Sequence, residues 1–217
     1  MKRTAIAVIL CAATLGPAWA IDIDAFSGRF GVAVINNASG EGAPSPVVNT
    51  LGGSVVLPIF IKGFYLNLQP ALDLYWTNYE WAVDRAVPTE SERGGGNNAF
   101  VLGFIVDLPI TATFRFNERI GGAAAIGPAF VLRAAFANDD GPDMDANLSS
   151  IVSYLWGSGR WFYPSASLRM DVYLQDNFTF AFGVRGSLPI FNLWTDSVSF
   201  FDESILHITM SMLVGLN

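Results

Sequence analysis

The sequence predicts an all-β protein, an antiparallel up-and-down transmembrane β-barrel with eight strands, ten being the alternative. Two observations predict this fold. Apolar residues alternate with polar ones along several long segments, and the mean hydropathy is high, +0.39, although no segment after the first twenty residues has 18 uninterrupted apolar residues. Because hydrocarbon requires that every backbone group be paired, membrane-like hydropathy without a membrane helix favours a closed barrel.

The clearest alternation covers residues 64–77, FYLNLQPALDLYWT. One face of this segment carries Phe64, Leu66, Leu68, Pro70, Leu72, Leu74 and Trp76. A period of two indicates a β-strand, whose side chains leave on opposite faces in turn. Strands of globular proteins have about 5–6 residues. The length of this segment instead suits a tilted strand that crosses a bilayer, which needs about 9–11 residues.

The same pattern predicts eight strands: 26–34, 51–61, 64–77, 99–116, 119–136, 161–174, 178–190 and 205 to the C-terminus. Short connections at 62–63, 117–118 and 175–177 alternate with long ones at 35–50, 78–98, 137–160 and 191–204. Outer-membrane barrels have short periplasmic turns and long external loops, as here.

Prolines interrupt the predicted strands at Pro70, Pro109, Pro128, Pro164 and Pro189. Proline cannot donate a hydrogen bond to a neighbouring strand, so we expect bulges at some of these positions. If Pro109 ended a strand, ten strands would result. The unbroken phase of the apolar face from Phe100 to Phe116 favours eight.

Residues 1–20 read as a cleaved signal peptide. Lys2 and Arg3 precede an apolar segment, and Ala18-Trp19-Ala20 forms a small-x-small cleavage site. Residues 21–217 then form a single barrel domain without cysteine, with 19 acids against 10 bases (12 minus Lys2 and Arg3), a net charge of −9. This negative balance argues against a nucleic-acid partner.

The contents of the two strand faces distinguish a membrane barrel from a soluble lipocalin-like barrel, which is the alternative. The apolar face carries no charge and has aromatic residues at both ends, which is typical of lipid-facing girdles. The polar face contains small polar residues and nine candidate lumen-lining charges: Arg29, Asp73, Asp107, Arg115, Arg119, Arg133, Arg169, Asp171 and Arg185. Six arginines against three carboxylates give two interpretations. Either Arg–Asp pairs fill a plugged lumen, or the lumen is a narrow, anion-tolerant water path.

Other chemical signals are weak. His207 is the only histidine, and the nearby Ser199, Asp202, Glu203 and Ser204 have no triad spacing, so a hydrogen-bonded histidine at the rim is favoured over a catalytic one. Asp143, Asp145 and Asn147 match only the opening of a calcium loop, which favours a solvated acidic tip over a divalent-cation site. We therefore predict no catalytic residue, no metal and no cofactor. Residues 83–93 with the following glycines suggest a flexible linker, and 148–156 an amphipathic segment or an extension of strand six.

With strands, turns and girdles placed, residues 21–217 resemble the small eight-stranded outer-membrane barrels of the OmpX, OmpW and OmpA-transmembrane kind. The resemblance is architectural, and the terminal aromatic common in those families is absent from the ending Met212-Leu213-Val214-Gly215-Leu216-Asn217. It implies a bacterial outer-membrane, porin-like cell-surface protein that is not an enzyme. It also implies contact with outer-membrane lipid and with the barrel-insertion machinery.

Two functions remain open from the sequence. The first is passive permeation or uptake of small molecules, which the resemblance to the OmpW kind makes conceivable. The alternative is a structural or surface-interaction barrel with a plugged lumen and functional external loops that meet external ligands. A periplasmic lipocalin-like binding protein or an outer-membrane lipid enzyme comes third.

Overall fold

The computed structural model describes residues 23–43, 45–61, 64–89, 98–138, 143–175, 177–195 and 199–216. The predicted signal peptide lies outside these residues. The strands are β1 Ala25–Ile35, β2 Val47–Ile61, β3 Phe64–Leu68, β4 Ala71–Ala82, β5 Arg85–Thr89, β6 Asn98–Asp107, β7 Ile110–Arg115, β8 Ile120–Ala137, β9 Phe162–Gln175, β10 Phe178–Ser187 and β11 Ile205–Gly215. The helix α1 spans Met144–Trp156, and short 3₁₀ turns span Gly157–Gly159 and Ile190–Leu193.

The strands close into a ring. Neighbours pair antiparallel, and β1 pairs with both β2 and β11. The segments β3 and β4 together form one wall strand, as do β6 and β7, because each pair keeps the same neighbours on both sides of a proline interruption. Counted in this way the wall has eight strands, which confirms the prediction over the ten-strand alternative. The short β5 adds a hairpin to β4 outside the ring.

The pairing register fixes the tilt of the strands. Starting at Ile35 and following the paired residues once around the ring leads back to β1 at Ala25, an offset of ten residues. Closing a sheet into a barrel requires such an offset, which makes the strands slope by about 35–45° to the barrel axis. The long strands predicted from the sequence are needed to cross a bilayer at this slope.

Three prolines lie along one register line across the wall, and we call Pro70, Pro128 and Pro164 the proline row. Val55 donates its N–H to the Pro70 carbonyl, Leu108 to that of Pro128, and Leu188 to that of Pro164, at 2.9–3.0 Å. Proline has no N–H, so the reciprocal hydrogen bond is missing from each pair. Pro128, in the middle of β8, pairs with Pro164 near the start of β9. The prolines therefore interrupt the ladder without breaking the ring.

The external connections differ from their predicted forms in three places. Loop 1 covers 36–46, loop 2 83–97, loop 3 138–161 and loop 4 188–204. In loop 2 the expected linker begins instead as the ordered hairpin β4–β5, while 90–97 lie outside the described residues. In loop 3 the suspected amphipathic segment is the helix α1, which starts earlier than predicted. Strand seven ends at Ser187 rather than at 190, because Pro189 directs the chain into a 3₁₀ turn.

The outward and inward faces of the wall separate by chemistry as predicted. Exposed outward residues along the strands are apolar, for example Phe30, Leu51, Ile126, Leu168 and Val184. This surface is suited to hydrocarbon and would be costly in water. Among the described residues, no helix is long and apolar enough to cross a membrane.

Candidate functional site: the closed lumen and the loop-anchoring cluster

An ionic network crosses the middle of the lumen, and we call Arg29, Asp73, Asp107, Arg185 and His207 the lumen network. Arg29 donates to both oxygens of Asp73 at 2.5 and 2.6 Å. Arg185 joins the two carboxylates, donating to Asp73 at 2.9 Å and to Asp107 at 2.6 Å. The five side chains come from β1, β4, β6, β10 and β11, so the network spans the barrel. Buried charges must be paired in this way to offset the loss of hydration.

His207 completes the network and is 1% exposed. Its Nδ1 lies 2.6 Å from Arg185 Nη2, and its Nε2 lies 2.7 Å from Thr50 Oγ1. Because arginine can only donate, Nδ1 accepts its hydrogen bond, and the Nε2 N–H donates a hydrogen bond to the Thr50 hydroxyl oxygen. The histidine is therefore held on both sides inside the wall rather than at the rim. Ser199, suggested by its nearness in sequence, lies exposed in loop 4.

The other predicted lumen charges separate into three places. Arg169 binds Asp171 at 2.6 Å on the turn side of the network. Arg133 lies on the loop side of the network, where it is 3% exposed. Arg115 and Arg119 lie exposed at the turn end, where Arg115 covers the ring of Tyr173 and donates to the backbone carbonyls of Asn117 and Glu118 in the turn. Within the lumen proper, Arg29, Arg169 and Arg185 face Asp73, Asp107 and Asp171, so charges are balanced there.

An aromatic layer closes the lumen on the loop side of the network. Tyr75, Tyr163 and Phe191 are at most 1% exposed and pack with aliphatic residues of β6 and β8. Arg133 lies on this layer and donates to the hydroxyls of Tyr75 at 3.1 Å and Tyr163 at 3.0 Å. Phe191 belongs to loop 4, whose 3₁₀ turn inserts the ring edge-on against Tyr163. The external loop thus contributes part of the plug.

Two carboxylates of loop 4 anchor the other loops. The Ala38 N–H of loop 1 donates to Asp202 at 2.6 Å, and Arg85 of loop 2 binds the second oxygen of Asp202. From loop 3, the Tyr154 hydroxyl donates to Glu203 at 2.7 Å, and Arg160 lies 3.5 Å from the same oxygen. We call Arg85, Arg133, Tyr154, Arg160, Asp202 and Glu203 the loop-anchoring cluster. Its charged members are all at most 7% exposed.

Stacking and electrostatics strengthen this cluster. The guanidinium of Arg160 lies 3.8 Å from the centre of the Tyr154 ring and 5.3 Å from that of Phe191. Burial, and then the neighbouring Glu203 carboxylate, raise the pKa of the Tyr154 phenol well above its usual value. Tyr154 therefore stays neutral and keeps its hydrogen bond to Glu203 under ordinary conditions.

Sequence reasoning missed most of the anchoring cluster. The sequence analysis singles out neither Arg85 nor Arg160, and it gives Asp202 and Glu203 only as neighbours of a possible histidine site. The available signal was an acidic pair directly before the last strand. Which arginine side chains contact this acidic pair depends on how four loops, distant in sequence, fold together. The alternation of apolar and polar residues does not predict this.

A small polar chamber lies between the lumen network and the turn end. Its volume is about 60 Å³, and its hydroxyl-bearing lining residues are Ser27, Ser54, Thr111, Ser167, Thr209 and Ser211. Ser27 and Ser54 share a hydrogen bond of 2.6 Å. Arg169 bridges Asp171 and Gln69 at the wall of this chamber. The turn half of the lumen is thus polar and incompletely filled.

The described residues bring no metal site together. No group of three His, Cys, Asp or Glu side chains in this part of the chain could hold a metal ion. The suspected calcium residues Asp143, Asp145 and Asn147 lie at the start of α1, where Asn147 donates its backbone N–H to the Asp143 carbonyl. Residues 139–142, which precede them in the acidic segment, lie outside the described part.

Comparison with solved structures supports the fold. The structure is similar to neisserial surface protein A (NspA), with 6% identity and a TM-score of 0.53 over 88% of this chain and 95% of that one. It is also similar to Ail, the attachment invasion locus protein of Yersinia pestis, with 8% identity and a TM-score of 0.45 over 89% and 97%. That structure of Ail holds the heparin analogue sucrose octasulfate. No protein-family model and no curated protein sequence matches the chain.

The chain therefore has the fold of a small outer-membrane β-barrel. The predicted resemblance and fold class are confirmed at this level, and a bacterial outer-membrane location agrees with the fold and with the apolar outer face.

Proposed function

We propose that this outer-membrane barrel has a closed lumen and works through its external loops, as a non-enzymatic surface-interaction protein. The observation that carries the proposal is the loop-anchoring cluster. Asp202 and Glu203 of loop 4 hold loop 1 through Ala38, loop 2 through Arg85 and loop 3 through Tyr154 and Arg160. The two carboxylates thus join described residues of all four loops.

Such fixing favours recognition because binding to an ordered surface costs less conformational entropy. The ordered surface also presents large side chains to the outside. Trp156, Leu193, Trp194 and Phe201 are each 47% exposed or more. Trp194 is held in place by a hydrogen bond of 3.0 Å to the Ser158 carbonyl, which joins loop 4 to loop 3. External ligands are expected to contact this surface, while outer-membrane lipid contacts the strands.

Passive permeation, the first prediction from the sequence, stays a prediction. It requires a continuous path, and the aromatic layer and the lumen network both lie across the lumen. Eight strands leave an interior that side chains can just fill. The measurement that separates the two functions is conductance and solute swelling with the refolded barrel in lipid. We expect no flux above a heat-denatured control. Reproducible flux through the wild-type barrel would contradict a closed lumen.

The surface function is tested by loosening the anchor. Asp202→Asn removes the charge that pairs with Arg85. We expect it to lower the free energy of local loop unfolding by about 2 kcal/mol, because a buried hydrogen bond to a charged group is lost. We expect faster protease cleavage in the external loops and weaker adherence of cells that display the barrel to a panel of immobilised proteins and polysaccharides. Unfolding of the membrane-spanning wall should stay unchanged.

Asp84→Asn is the matched control, since Asp84 is an exposed acid in the turn beside Arg85. It should leave cleavage and adherence as in the wild type. Equal adherence for wild type, Asp202→Asn and cells without the barrel would refute the surface function.

A further inference from the structure

The helix α1 of loop 3 has an outward face that no other described residue covers. Its buried residues Met144, Ile151 and Leu155 pack against the loop ends of β4, β5 and β6. Side chains at positions i, i+4, i+7 and i+11 of a helix share one face. The four residues at this spacing that point away from the buried side are all exposed, and we call them the helix face: Asp145, Ser149, Val152 and Trp156.

The two ends of the helix face differ in chemistry. At the start, Asp145 lies beside Asp143, and among the described residues neither carboxylate has a hydrogen bond or an ion pair. At the end, Trp156 lies close to Trp194 of loop 4, whose indole donates to the Ser158 carbonyl at 3.0 Å. Because a helix rises 1.5 Å per residue, the acidic end and the aromatic end are about 16 Å apart.

The rest of the external end has the same sign of charge. Glu41, Glu80 and Asp84 are further acids there, and each is exposed or half-exposed. The described arginines of the loops, Arg85 and Arg160, are buried in the loop-anchoring cluster. Within the described residues, the external end therefore has accessible carboxylates and no accessible cation. Such a surface attracts basic partners and repels polyanions.

We propose that the helix face docks a basic segment of a partner protein. Lysine or arginine side chains of the segment pair with Asp143 and Asp145, and an apolar side chain packs against Trp156 and Trp194. About five extended residues span the two ends. Exposed apolar side chains beside polar ones are typical of interaction sites, and charge complementarity selects the basic partner. This inference rests on the proposed surface function and adds the chemistry of the partner.

The first test measures the binding of two fluorescent peptides to the folded wild-type barrel in nanodiscs of net-neutral phosphatidylcholine. One peptide has three lysines and two leucines, separated by about five extended residues. The second has glutamates in place of the lysines, and empty nanodiscs serve as the blank. The lysine peptide should bind about tenfold more tightly, and added salt should weaken its binding because exposed ion pairs are screened. Equal affinity of the two peptides would overturn the proposal.

The second test locates the binding on the helix face. The double variant Asp143→Asn, Asp145→Asn should weaken binding of the lysine peptide about fivefold, as for two exposed ion pairs. The matched control is Glu41→Gln with Asp84→Asn, which removes the same charge from the external end but not from α1. The control should change the affinity by less than about twofold. Equal losses in both double variants would show diffuse attraction and contradict the site.

Heat-dependent mobility on gels shows that the variants are folded, and the two wild-type peptides decide the matter if a variant is not. The adherence test and the peptide test can fail separately. If Asp202→Asn lowers adherence while the wild type does not prefer the lysine peptide, the surface function stands and the basic partner is wrong. No adherence and no preference for the lysine peptide would refute both.

Discussion

The two halves of the lumen are closed by different means. On the loop side, large rings and a loop residue fill the space, and Phe191 and Tyr163 are 0% exposed. On the turn side, serines and threonines of the strands leave a chamber of about 60 Å³. The loop half is sealed by groups that are distant in sequence, and the turn half is kept polar by short side chains of the wall. One barrel thus combines a close-packed plug with a polar chamber that side chains do not fill.

We expect the largest loss of stability from a substitution in the lumen network, which lies at the boundary between the two halves. Asp73 is 1% exposed and binds both Arg29 and Arg185. Asp73→Asn leaves two buried arginines with one carboxylate, so we expect a loss of about 5 kcal/mol in the free energy of unfolding, the upper end for a broken buried pair. Urea titration of the refolded barrel in lipid measures this loss. Asp145→Asn, at an exposed acid of α1, should change it by less than about 0.5 kcal/mol. Similar values for both variants would show that the network does not stabilise the barrel.

A pair of phenylalanines in loop 4 sharpens the comparison. Phe191 is buried in the aromatic layer, whereas Phe201 is 57% exposed. Phe191→Ala opens a cavity in the plug and should cost about 3 kcal/mol in the free energy of unfolding, while Phe201→Ala should have little effect. The same urea titration distinguishes them. If Phe191→Ala were as stable as Phe201→Ala, loop 4 would not be part of the plug.

The smallest expected effect concerns pH and belongs to the loop half alone. The folded pKa of Tyr154 is raised by burial and by Glu203 above its value of about 10 in an unfolded loop. Because the pKa is raised, the stabilisation from the neutral phenol is complete below about pH 10 and is lost as the pH rises above it. Protease cleavage in loop 3 should therefore increase above pH 10.

Tyr154→Phe lacks the titrating group and the hydrogen bond to Glu203. We expect this variant to have a free energy of local loop unfolding about 1 kcal/mol lower at neutral pH. Its protease cleavage in loop 3 should not increase above pH 10. A rise of the same size in the variant would assign the pH effect to another group.

The wall could be predicted from the sequence, and the plug could not. Residues 64–77 alternate because one face meets lipid and the other the lumen, so alternation reveals both faces and the strand count. The split at Pro70 left the register intact, which is why the phase of the apolar face survived it.

The loops follow no such period. Phe191 enters the lumen, and Glu203 reaches Arg160, only because loops far apart in sequence fold together above the wall. Alternation also placed Arg115 and Arg133 on the same face, although one lies exposed at the turn end and the other under the loops. How deep a residue lies in the barrel depends on where its strand enters the bilayer and where the loops begin, and alternation does not give either position.

The proline row has a mechanical consequence for the division of the lumen. It crosses the wall between the plug, with Tyr75 and Tyr163 on one side, and the chamber, with Thr111 and Ser167 on the other. Along this line each proline pair keeps one ladder hydrogen bond out of two, so the sheet resists bending less there than above or below it. The wall therefore has fewer ladder hydrogen bonds at the line that separates the plug from the chamber than the same line would have without its prolines.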